Sequence, residues 1–540
     1  MRRFARHALI AIIIWSLSVP AAPALLGLGE LSDTLVDLVE GTTGSLLVPV
    51  IVQTDGRPTS SDLLLVKLLG GITGKVFTSI DAFPALVPLD GLLELASSPR
   101  VTRISRDWQV RPLADSASPY SGAVQAWQEL GLTGAGIGVA FIDSGLNESA
   151  DLSSSGRRIV HVDFASNIVT SLLGSLLDPR RNDGFGHGTH VAGILGGSGA
   201  ASSGPGAFRT FRGVAPGATL ISLRALDGAG MGTTSTILRA IDWALANRSS
   251  YNLRVLNLSL GHPIDESYRT DPLCRAVEAA WRAGIVVVVA AGNYGDQGYA
   301  SILSPANDPY VITVGAAADR NTLSRDDDAV ASFSSMGPTS LDGILKPDLV
   351  ASGIQVVSSR ASGSTLDAAY PSTRIAYSFY LSGGSELPSP YAAYSGTSMS
   401  APVVAGAAAL MLQKDPRLNP DTVKARLMVS AHPILDDVVR TGAGMLDIVA
   451  ALGRSDARRP MTAMSPWVAA PEGEDGSAAV LDPAHLYGAT LDPSVAGQIA
   501  IWGRSTQWGQ IAIWGRTNSA QIAIWGTRAQ TGGSVLTAAE

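Results

Sequence analysis

Three residue types that together can activate a hydroxyl group stand far apart in this sequence. Asp143 follows the apolar run VAFI, His187 opens HGTHVAGILGG, and Ser398 lies in GTSMSAP, ahead of an alanine-rich stretch. A serine hydroxyl becomes a good nucleophile when a base takes its proton, and the base needs a third group to fix its tautomer. An acid, an imidazole and an alcohol in this chain order therefore predict acyl-transfer chemistry.

Asn293 and the surroundings of Ser398 can stabilise the negative charge that such chemistry creates. Ser398 falls at or near the start of a predicted helix, where backbone N–H groups are unpaired and the helix dipole is positive. Asn293 follows the apolar run VVVVAAG, and its side-chain amide can donate to a developing oxyanion. We therefore predict Asn293 as an oxyanion-hole donor.

Two alternative assignments compete with this one. His187 and His190 are three residues apart and could ligate a metal, as in a metal-dependent hydrolase. That pair lacks a third ligand and the Glu of an HExxH site, so a metal is the second choice. Asp183, four residues before His187, is a rival for the acid, but Asp143 is favoured because it ends an apolar run.

The elements that must position these residues alternate from about Ala123 to Leu452. Five apolar runs lack polar alternation, as expected for strands buried on both faces, and alanine-rich helical stretches lie between them. This pattern predicts an α/β domain with a mainly parallel sheet, whose ligands bind beyond the carboxyl ends of the strands. Asp143, Ser259 and Asn293 end three of these runs, so we expect them at one edge of the sheet. The runs are GIGVAFI, TLISLRAL, RVLNLSL, GIVVVVAA and YVITVGAA.

A separate, smaller unit is predicted over residues 48–112. VPVIVQ and VTRISRDWQV have the pattern of its first and last strands, and SSDLLLVKLLGG and LDGLLELASSP that of its helices. The order β-α-β-β-α-β predicts a small ferredoxin-like α+β unit. The stretch RPLADSASPYSG, rich in Pro, Ser and Gly, separates this unit from the predicted α/β domain.

The amino-terminal residues predict export. Three arginines precede an apolar run over residues 8–19, and Ala-Pro-Ala comes next at 22–24, which predicts a secretory signal peptide over residues 1–24. The run is shorter than the roughly 20 residues of a membrane span, although an uncleaved anchor stays open. Cys274 is the only cysteine, so no internal disulfide can form, which favours bacterial export to a secreted or cell-surface location. Its helical setting predicts packing rather than a nucleophilic role for this thiol.

Composition and repeats limit the classes of partner that the chain can bind. The formal net charge of −7, with no basic cluster beyond the amino terminus, argues against a nucleic-acid partner. Near the carboxyl end, three copies of QIAIWG place Trp502, Trp514 and Trp525 in a repeated tail. Three units are too few to predict a solenoid, so the tail is either a small β appendage or an anchor, export signal or partner-binding segment.

Six motifs, taken in order, resemble those of the subtilisin-like serine proteases, the subtilases. The resemblance implies a subtilisin-like three-layer catalytic domain that is monomeric and hydrolyses protein or peptide substrates. It assigns Asp143, His187 and Ser398 to the catalytic triad and Asn293 to the oxyanion hole. The motifs are VAFIDSG, GHGTHVAG, LNLSLG, AAGN, FSSMGP with KPDLVASG, and GTSMSAPVVAG.

The unit at residues 48–112 is similar to the subtilase propeptide, which assists folding and inhibits the enzyme until it is cleaved off. The resemblance thus implies a proenzyme with its own propeptide as intramolecular inhibitor, cut between Leu113 and Gly122. The implied division is a signal peptide at 1–24, a propeptide at 25–115, a catalytic domain at 116–455, and a linker with the Trp-Gly tail at 456–540.

Subtilases bind the substrate peptide as an added strand between two segments of the enzyme. The matching stretches here are SLG at Ser259–Gly261 and LDGAGMG at Leu226–Gly232. Leu303 precedes SPA and is expected to line the floor of the pocket for the residue before the cut. The implied substrate-binding residues are Gly228, Gly230, Ser259, Leu260, Gly261 and Leu303.

Two departures from the family pattern bear on metals and on the cleft. Many subtilases bind calcium in the loop after the HGTH helix, but here that loop, GGSGAASSGPGAFRTFRG, contains no Asp, Glu or Asn. Calcium prefers oxygen ligands, usually carboxylates, so we expect no required cofactor. Calcium binding elsewhere stays possible, but the sequence identifies no ligand set for it. The long segment 358–391 either shapes the substrate cleft or only decorates it. The competing function is an inactive subtilase-like binding protein that acts through the Trp repeats.

Overall fold

The computed structural model describes residues 31–41, 46–112, 122–153, 158–165, 182–319, 325, 327–434, 436–454, 463–465, 468–469 and 480–481. The chain divides into two compact units between Asp107 and Trp108. The predicted signal peptide, the cleavage window and the Trp-Gly repeats lie outside the described residues. The predicted domain limits, which concern processing, stay predictions.

The amino-terminal unit has the predicted element order. Its elements are α1 (Asp33–Gly41), β1 (Leu47–Thr54), α2 (Ser60–Leu68), β2 (Ile72–Thr73), β3 (Ala82–Pro88), α3 (Leu92–Ala96) and β4 (Val101–Arg106). The four antiparallel strands form a sheet in the order β2-β3-β1-β4, the arrangement of a ferredoxin-like unit. The predicted last strand, VTRISRDWQV, is divided, because β4 ends at Arg106 and a further strand starts at Gln109 in the second unit.

The second unit is built on an eight-stranded sheet. Its strands are β6 (Gly138–Asp143), β7 (Ile159–Asp163), β8 (Thr219–Arg224), β10 (Leu253–Leu258), β12 (Val286–Ala290), β13 (Ile312–Ala318), β14 (Ala329–Val330) and β15 (Leu349–Ser352). The order is β14-β13-β12-β10-β6-β8-β7, with β15 paired to β13, and all pairs are parallel except β13 with β14. Strands β6 and β12 are buried throughout, which explains why their sequences lack polar alternation.

Helices cover this sheet and complete a three-layer α/β fold, as predicted. They are α4 (Ala123–Gln128), α5 (His187–Gly196), α6 (Thr234–Asn247), α7 (Pro272–Arg282), α8 (Thr365–Ala369), α9 (Thr397–Lys414), α10 (Pro420–Ser430), α11 (Val438–Thr441) and α12 (Ile448–Gly453). Helices α5 and α9 contact each other and the sheet, whereas α6 and α7 form a second contacting pair. No described helix is long and apolar enough to cross a membrane.

Three small antiparallel sheets complete the described fold. Strands β5 (Gln109–Pro112), β9 (Gly232–Thr233) and β11 (Leu260–Gly261) form one, in the order β11-β5-β9. The remaining strands are β16 (Val356–Ser359), β17 (Arg374–Ala376), β18 (Pro388–Tyr394), β19 (Val468–Ala469) and β20 (Val480–Leu481). A sheet in the order β16-β18-β17 lies in the segment that precedes the Ser398 motif, and β19 pairs with β20.

A buried charge cluster joins the sheet to a segment near the carboxyl end of the described chain. The Asp348 carboxylate lies 2.9 Å from Lys346 Nζ and 3.2 Å from Lys424 Nζ, and it accepts a hydrogen bond from Ser465 Oγ at 2.5 Å. Burial alone would raise the pKa of Asp348, but the two ammonium groups outweigh it and hold the pKa below its usual value. Ser465 lies beyond the predicted end of the catalytic domain at residue 455.

Candidate active site

His187 and Asp143 form a buried, directly bonded pair. His187 Nδ1 lies 2.8 Å from Asp143 Oδ1 and 2.9 Å from Oδ2, and both side chains are inaccessible to solvent. Asp143 ends β6, and His187 is the first residue of α5, which begins after Gly186 in a left-handed conformation. Since a strand end and a helix start fix the two groups, the carboxylate can hold the imidazole in one tautomer, with its proton on Nδ1.

Asp183, the rival for the acid, holds the start of α5 instead. Its Oδ1 accepts from Ser144 Oγ at 2.8 Å and Gly186 N at 2.7 Å, and its Oδ2 accepts from Thr189 N at 2.7 Å and Oγ1 at 2.6 Å. These four hydrogen bonds occupy the acceptor sites of a buried carboxylate. The structure thus places the carboxylate of Asp143, and not that of Asp183, within hydrogen-bond distance of the His187 ring.

Ser398 lies at the amino end of α9, as the second residue of that helix, and is fully buried. Its Oγ donates to Ser259 O at 3.0 Å, while Ser259 Oγ donates to Ser398 O at 3.0 Å. His187 Nε2 has no hydrogen-bond partner within the described part of the chain. The structure therefore shows the acid bonded to the base, and the Ser398 hydroxyl bonded to the carbonyl oxygen of Ser259.

Asn293 is oriented by the residue next to Ser398. Its Oδ1 accepts from Thr397 N and from Thr397 Oγ1, both at 2.9 Å. With the carbonyl end of the amide held in this way, the Nδ2 donors face away from Thr397. Such a fixed donor beside the nucleophile fits the predicted role in an oxyanion hole.

If Asn293 donates to the oxyanion as predicted, replacing it by alanine should lower kcat by about 10²–10³-fold with little change in KM. This range is the general magnitude for the loss of one oxyanion-hole donor rather than a value taken from this structure. Steady-state hydrolysis of a peptide substrate tests it, with Asn247→Ala in α6 as the control that keeps kcat. A rise in KM with unchanged kcat would contradict the assignment.

His190 and Cys274 take no part in this arrangement. Burial, helped by the neighbouring His187, lowers the pKa of His190 to about 3, so its ring is neutral and packs against Tyr394 at 4.6 Å between centroids. Burial raises the pKa of the Cys274 thiol well above its usual value, which keeps it unreactive. Among the described residues, no group of three His, Cys, Asp or Glu side chains could hold a metal ion.

A strand of the chain already occupies the cleft between the two predicted substrate-binding segments. In the register of β5, Arg111 pairs with Gly261 and Pro112 with Leu260, while Gln109 and Val110 pair with Thr233 and Gly232. The second wall of the cleft is therefore β9. Gly228 and Gly230, which were predicted for this wall, lie in the turn before it.

Leu303 lies between the glycines that border the same cleft. A Cβ added at Gly261 would come within 3.1 Å of Leu303 Cβ, and one added at Gly292 within 3.1 Å of Leu303 Cγ. Only glycine fits at these two positions without moving the leucine. The apolar side chain of Leu303 thus lies against Gly292, the residue before Asn293, and its role as a pocket floor stays a prediction.

The segment 358–391 contacts the turn before β9 and the residues just before His187, and its role in the cleft stays a prediction. Thr365 at the start of α8 donates through Oγ1 to Gly228 O at 2.7 Å and through its backbone N to Gly184 O at 3.0 Å. Leu366 N donates to Phe185 O at 3.0 Å. These bonds tie the residues just before His187 to the turn before β9. The sequence reveals the length of this segment, but it does not reveal which loops the segment contacts.

Comparison with known proteins identifies the class to which this fold and site belong. The model of the subtilase family matches residues 134–459, and the chain belongs to that family. It is a serine-type endopeptidase with a subtilisin-like fold.

Individual relatives agree with this assignment. The chain is 39% identical to serine protease AprX of Bacillus subtilis over 345 residues, which are 63% of this chain and 71% of AprX. It is 33% identical to subtilisin NAT of Bacillus subtilis subsp. natto over 386 residues, covering 71% of this chain and 83% of that protein.

A solved structure shares the fold. The crystal structure of fervidolysin from Fervidobacterium pennivorans, described as a keratinolytic enzyme related to subtilisin, matches with a TM-score of 0.55 at 20% identity. The match covers 78% of this chain and 63% of the fervidolysin chain, somewhat less than two thirds of the latter.

Proposed function

We propose that this subtilase is an exported proenzyme that hydrolyses peptide bonds with Asp143, His187 and Ser398. Ser398 Oγ attacks the substrate carbonyl while His187 Nε2 takes its proton, and Asp143 stabilises the imidazolium that forms. His187 then gives the proton to the leaving amine, and water releases the acyl group from Ser398 by the same steps. Asn293 donates to the oxyanion. The observation that carries this proposal is the buried bond between His187 and Asp143.

A fluorophosphonate probe tests the nucleophile directly. The processed protein should be labelled at Ser398, and His187→Ala should abolish labelling, because the hydroxyl then lacks its base. His161→Ala, which alters a histidine paired with Glu148 elsewhere in the unit, should leave labelling intact. Absence of labelling in correctly folded, processed protein would favour the inactive binding protein, which nothing in the described structure or the comparisons supports.

The strand in the cleft supports a propeptide role for the residues before it. Because β5 adds to β9 and β11 by backbone pairing, it occupies the path that a substrate strand would take. A substrate cannot pair there until this strand leaves. The amino-terminal residues would thus act as an intramolecular inhibitor until they are cut off, after which a monomeric catalytic domain remains.

The register of β5 also suggests where that cut falls. Pro112, the last described residue of β5, pairs with Leu260, and the carbonyl oxygen of the adjacent Ser259 contacts Ser398 Oγ. We therefore propose cleavage after residue 113, at the start of the predicted window, which itself lies outside the described residues. Sequencing of the mature amino terminus checks this assignment, and a first residue beyond position 116 would contradict it.

We further propose that the loop after α5 needs no calcium. The buried Asp151 carboxylate accepts from Tyr391 Oη at 2.5 Å and from Ala201 N at 2.7 Å, and Tyr391 Oη also contacts Ser202 Oγ at 2.9 Å. Burial, together with the nearby Asp151 charge, raises the pKa of Tyr391, so its hydroxyl stays protonated and remains a donor. A tyrosine and backbone groups thus satisfy the acid.

Tyr391→Phe should lower the free energy of unfolding by about 1–3 kcal/mol, because Asp151 then loses a donor while it remains buried. Urea denaturation with and without a chelator measures this, and the chelator should leave wild-type stability unchanged. Tyr370→Phe is the matched control, since Tyr370 is half exposed. Strong destabilisation of the wild type by the chelator would disprove calcium independence.

A further inference from the structure

Trp108, the residue directly before the strand in the cleft, has a defined place in the catalytic unit. Its ring stacks on His262 with 5.9 Å between centroids and an angle of 14°. Its Nε1 donates to Asp265 Oδ2 at 3.3 Å. Its backbone O accepts from Thr234 N, at the start of α6, at 2.8 Å. The catalytic unit therefore makes three contacts with Trp108 beyond β9. His262 stacks on its ring, Asp265 accepts its indole N–H, and Thr234 donates to its backbone carbonyl.

The groups that receive Trp108 are rigid. With Trp108 in place, His262 and Asp265 are 3% and 7% exposed. His262 Nδ1 donates to Pro263 O at 2.7 Å, and the His262 backbone forms a bridge with Ser304 in both directions. A ring held in this way presents a fixed face for stacking, and the buried carboxylate beside it accepts one N–H.

We infer that His262, Asp265 and Thr234 form a distal subsite that recognises an aromatic residue, tryptophan above all, in substrates of this enzyme. In a bound substrate, the aromatic residue would lie three positions before the residue that pairs with Gly261. Trp108 has this spacing, because Arg111 is the residue that pairs with Gly261. The inference rests on the proposed function, because it takes β5 as marking the substrate path.

The preference is explained by the three contacts. Stacking and the indole N–H bond require a large flat ring with a donor on its edge, which only tryptophan supplies in full. Phenylalanine keeps the stacking and loses the hydrogen bond. Alanine keeps only the backbone contact with Thr234, which any residue makes.

Matched peptides test the subsite with the processed enzyme, which lacks Trp108 because processing has removed the residues before the cut. The peptide Trp-Gln-Val-Arg-Pro-Leu-Ala-Asp repeats residues 108–115 and carries a fluorophore and a quencher at its ends. Replacing its tryptophan by alanine should lower kcat/KM about tenfold, mainly through KM, since stacking and one hydrogen bond are lost in both ground and transition states. The phenylalanine peptide should fall between them.

Variants of the enzyme test whether His262 and Asp265 cause the preference for tryptophan. Asp265→Leu and His262→Ala should each reduce the preference for tryptophan over alanine to about threefold or less. Asp265→Asn should preserve most of it, because the amide can still present an acceptor oxygen. Glu386→Gln, at an exposed acid of the same unit, is the control and should keep the full tenfold ratio.

The outcomes separate this inference from the proposed function. Equal kcat/KM for the tryptophan and alanine peptides in the wild type would overturn the subsite and leave the protease assignment intact. A preference that survives in both folded variants would do the same. Hydrolysis of neither peptide by the processed enzyme would overturn the proposed function, and the subsite with it. If a variant fails to fold, the wild-type ratio decides alone.

Discussion

Replacing Ser398, the proposed nucleophile, by alanine should lower kcat by about 10⁶-fold, the size of the loss measured when the nucleophile of subtilisin is removed. The same change should leave the precursor uncut, because a chain without its nucleophile cannot cleave itself. Peptide hydrolysis gives the rate, and mass spectrometry of the purified protein gives its amino terminus. Ser400→Ala is the matched control, since Ser400 lies on the same helix and its Oγ donates to Ala351 O.

The double variant sharpens this prediction. Because nucleophile and base act as one unit, Ser398→Ala combined with His187→Ala should be no slower than either single variant within a few fold. Losses that multiplied would show that the two residues act independently. A normally processed amino terminus in the Ser398→Ala protein would instead mean that another protease matures the chain.

Replacing Asp143 by asparagine should lower kcat about 10⁴-fold while the fold is retained. An amide can donate to His187 Nδ1, which favours the tautomer whose Nε2 carries the proton and cannot act as a base. The rate is measured with the same peptide substrate, and circular dichroism confirms the fold.

Asp183→Asn is the informative comparison for this prediction. It changes the same residue type near the same helix, but it disturbs the hydrogen bonds to Gly186 and Thr189 rather than the imidazole. We expect it to cost about 1–3 kcal/mol of stability and less than tenfold in kcat of the folded protein. If both variants lost activity equally, the assignment of Asp143 as the sole orienting acid would be wrong.

Much of this arrangement could be predicted because strand ends carry strong local signals. Uninterrupted apolar runs indicate buried parallel strands, and the polar residue that ends such a run must lie at the ligand-binding edge. That argument favoured Asp143 over Asp183 before any distance was known. The β-α-β-β-α-β order of the first unit was predicted in the same way from helix and strand periodicity.

Long-range pairing could not be predicted in the same way. Nothing local in VTRISRDWQV marks where the strand leaves one sheet for another, since both halves have the same alternating pattern. The choice of Gly232 and Thr233 as the second wall depends on the turn formed by residues 227–231, in which Asp227 holds two backbone N–H groups. The hydrogen bond from Ser398 Oγ to Ser259 O is a choice of rotamer, which sequence does not encode.

The hydrogen bonds of Ser465 have a practical consequence for anyone who shortens this enzyme. The family match ends at residue 459, yet Ser465 Oγ contacts both Asp348 and Lys424, and Ala463 N donates to Asp421. A recombinant form that ends at residue 459 would lose these hydrogen bonds. Water could then reach the buried charges of Asp348 and Lys424, and the segment that links α10 to the sheet would be missing. A shortened recombinant form should therefore keep all residues up to and including Ser465.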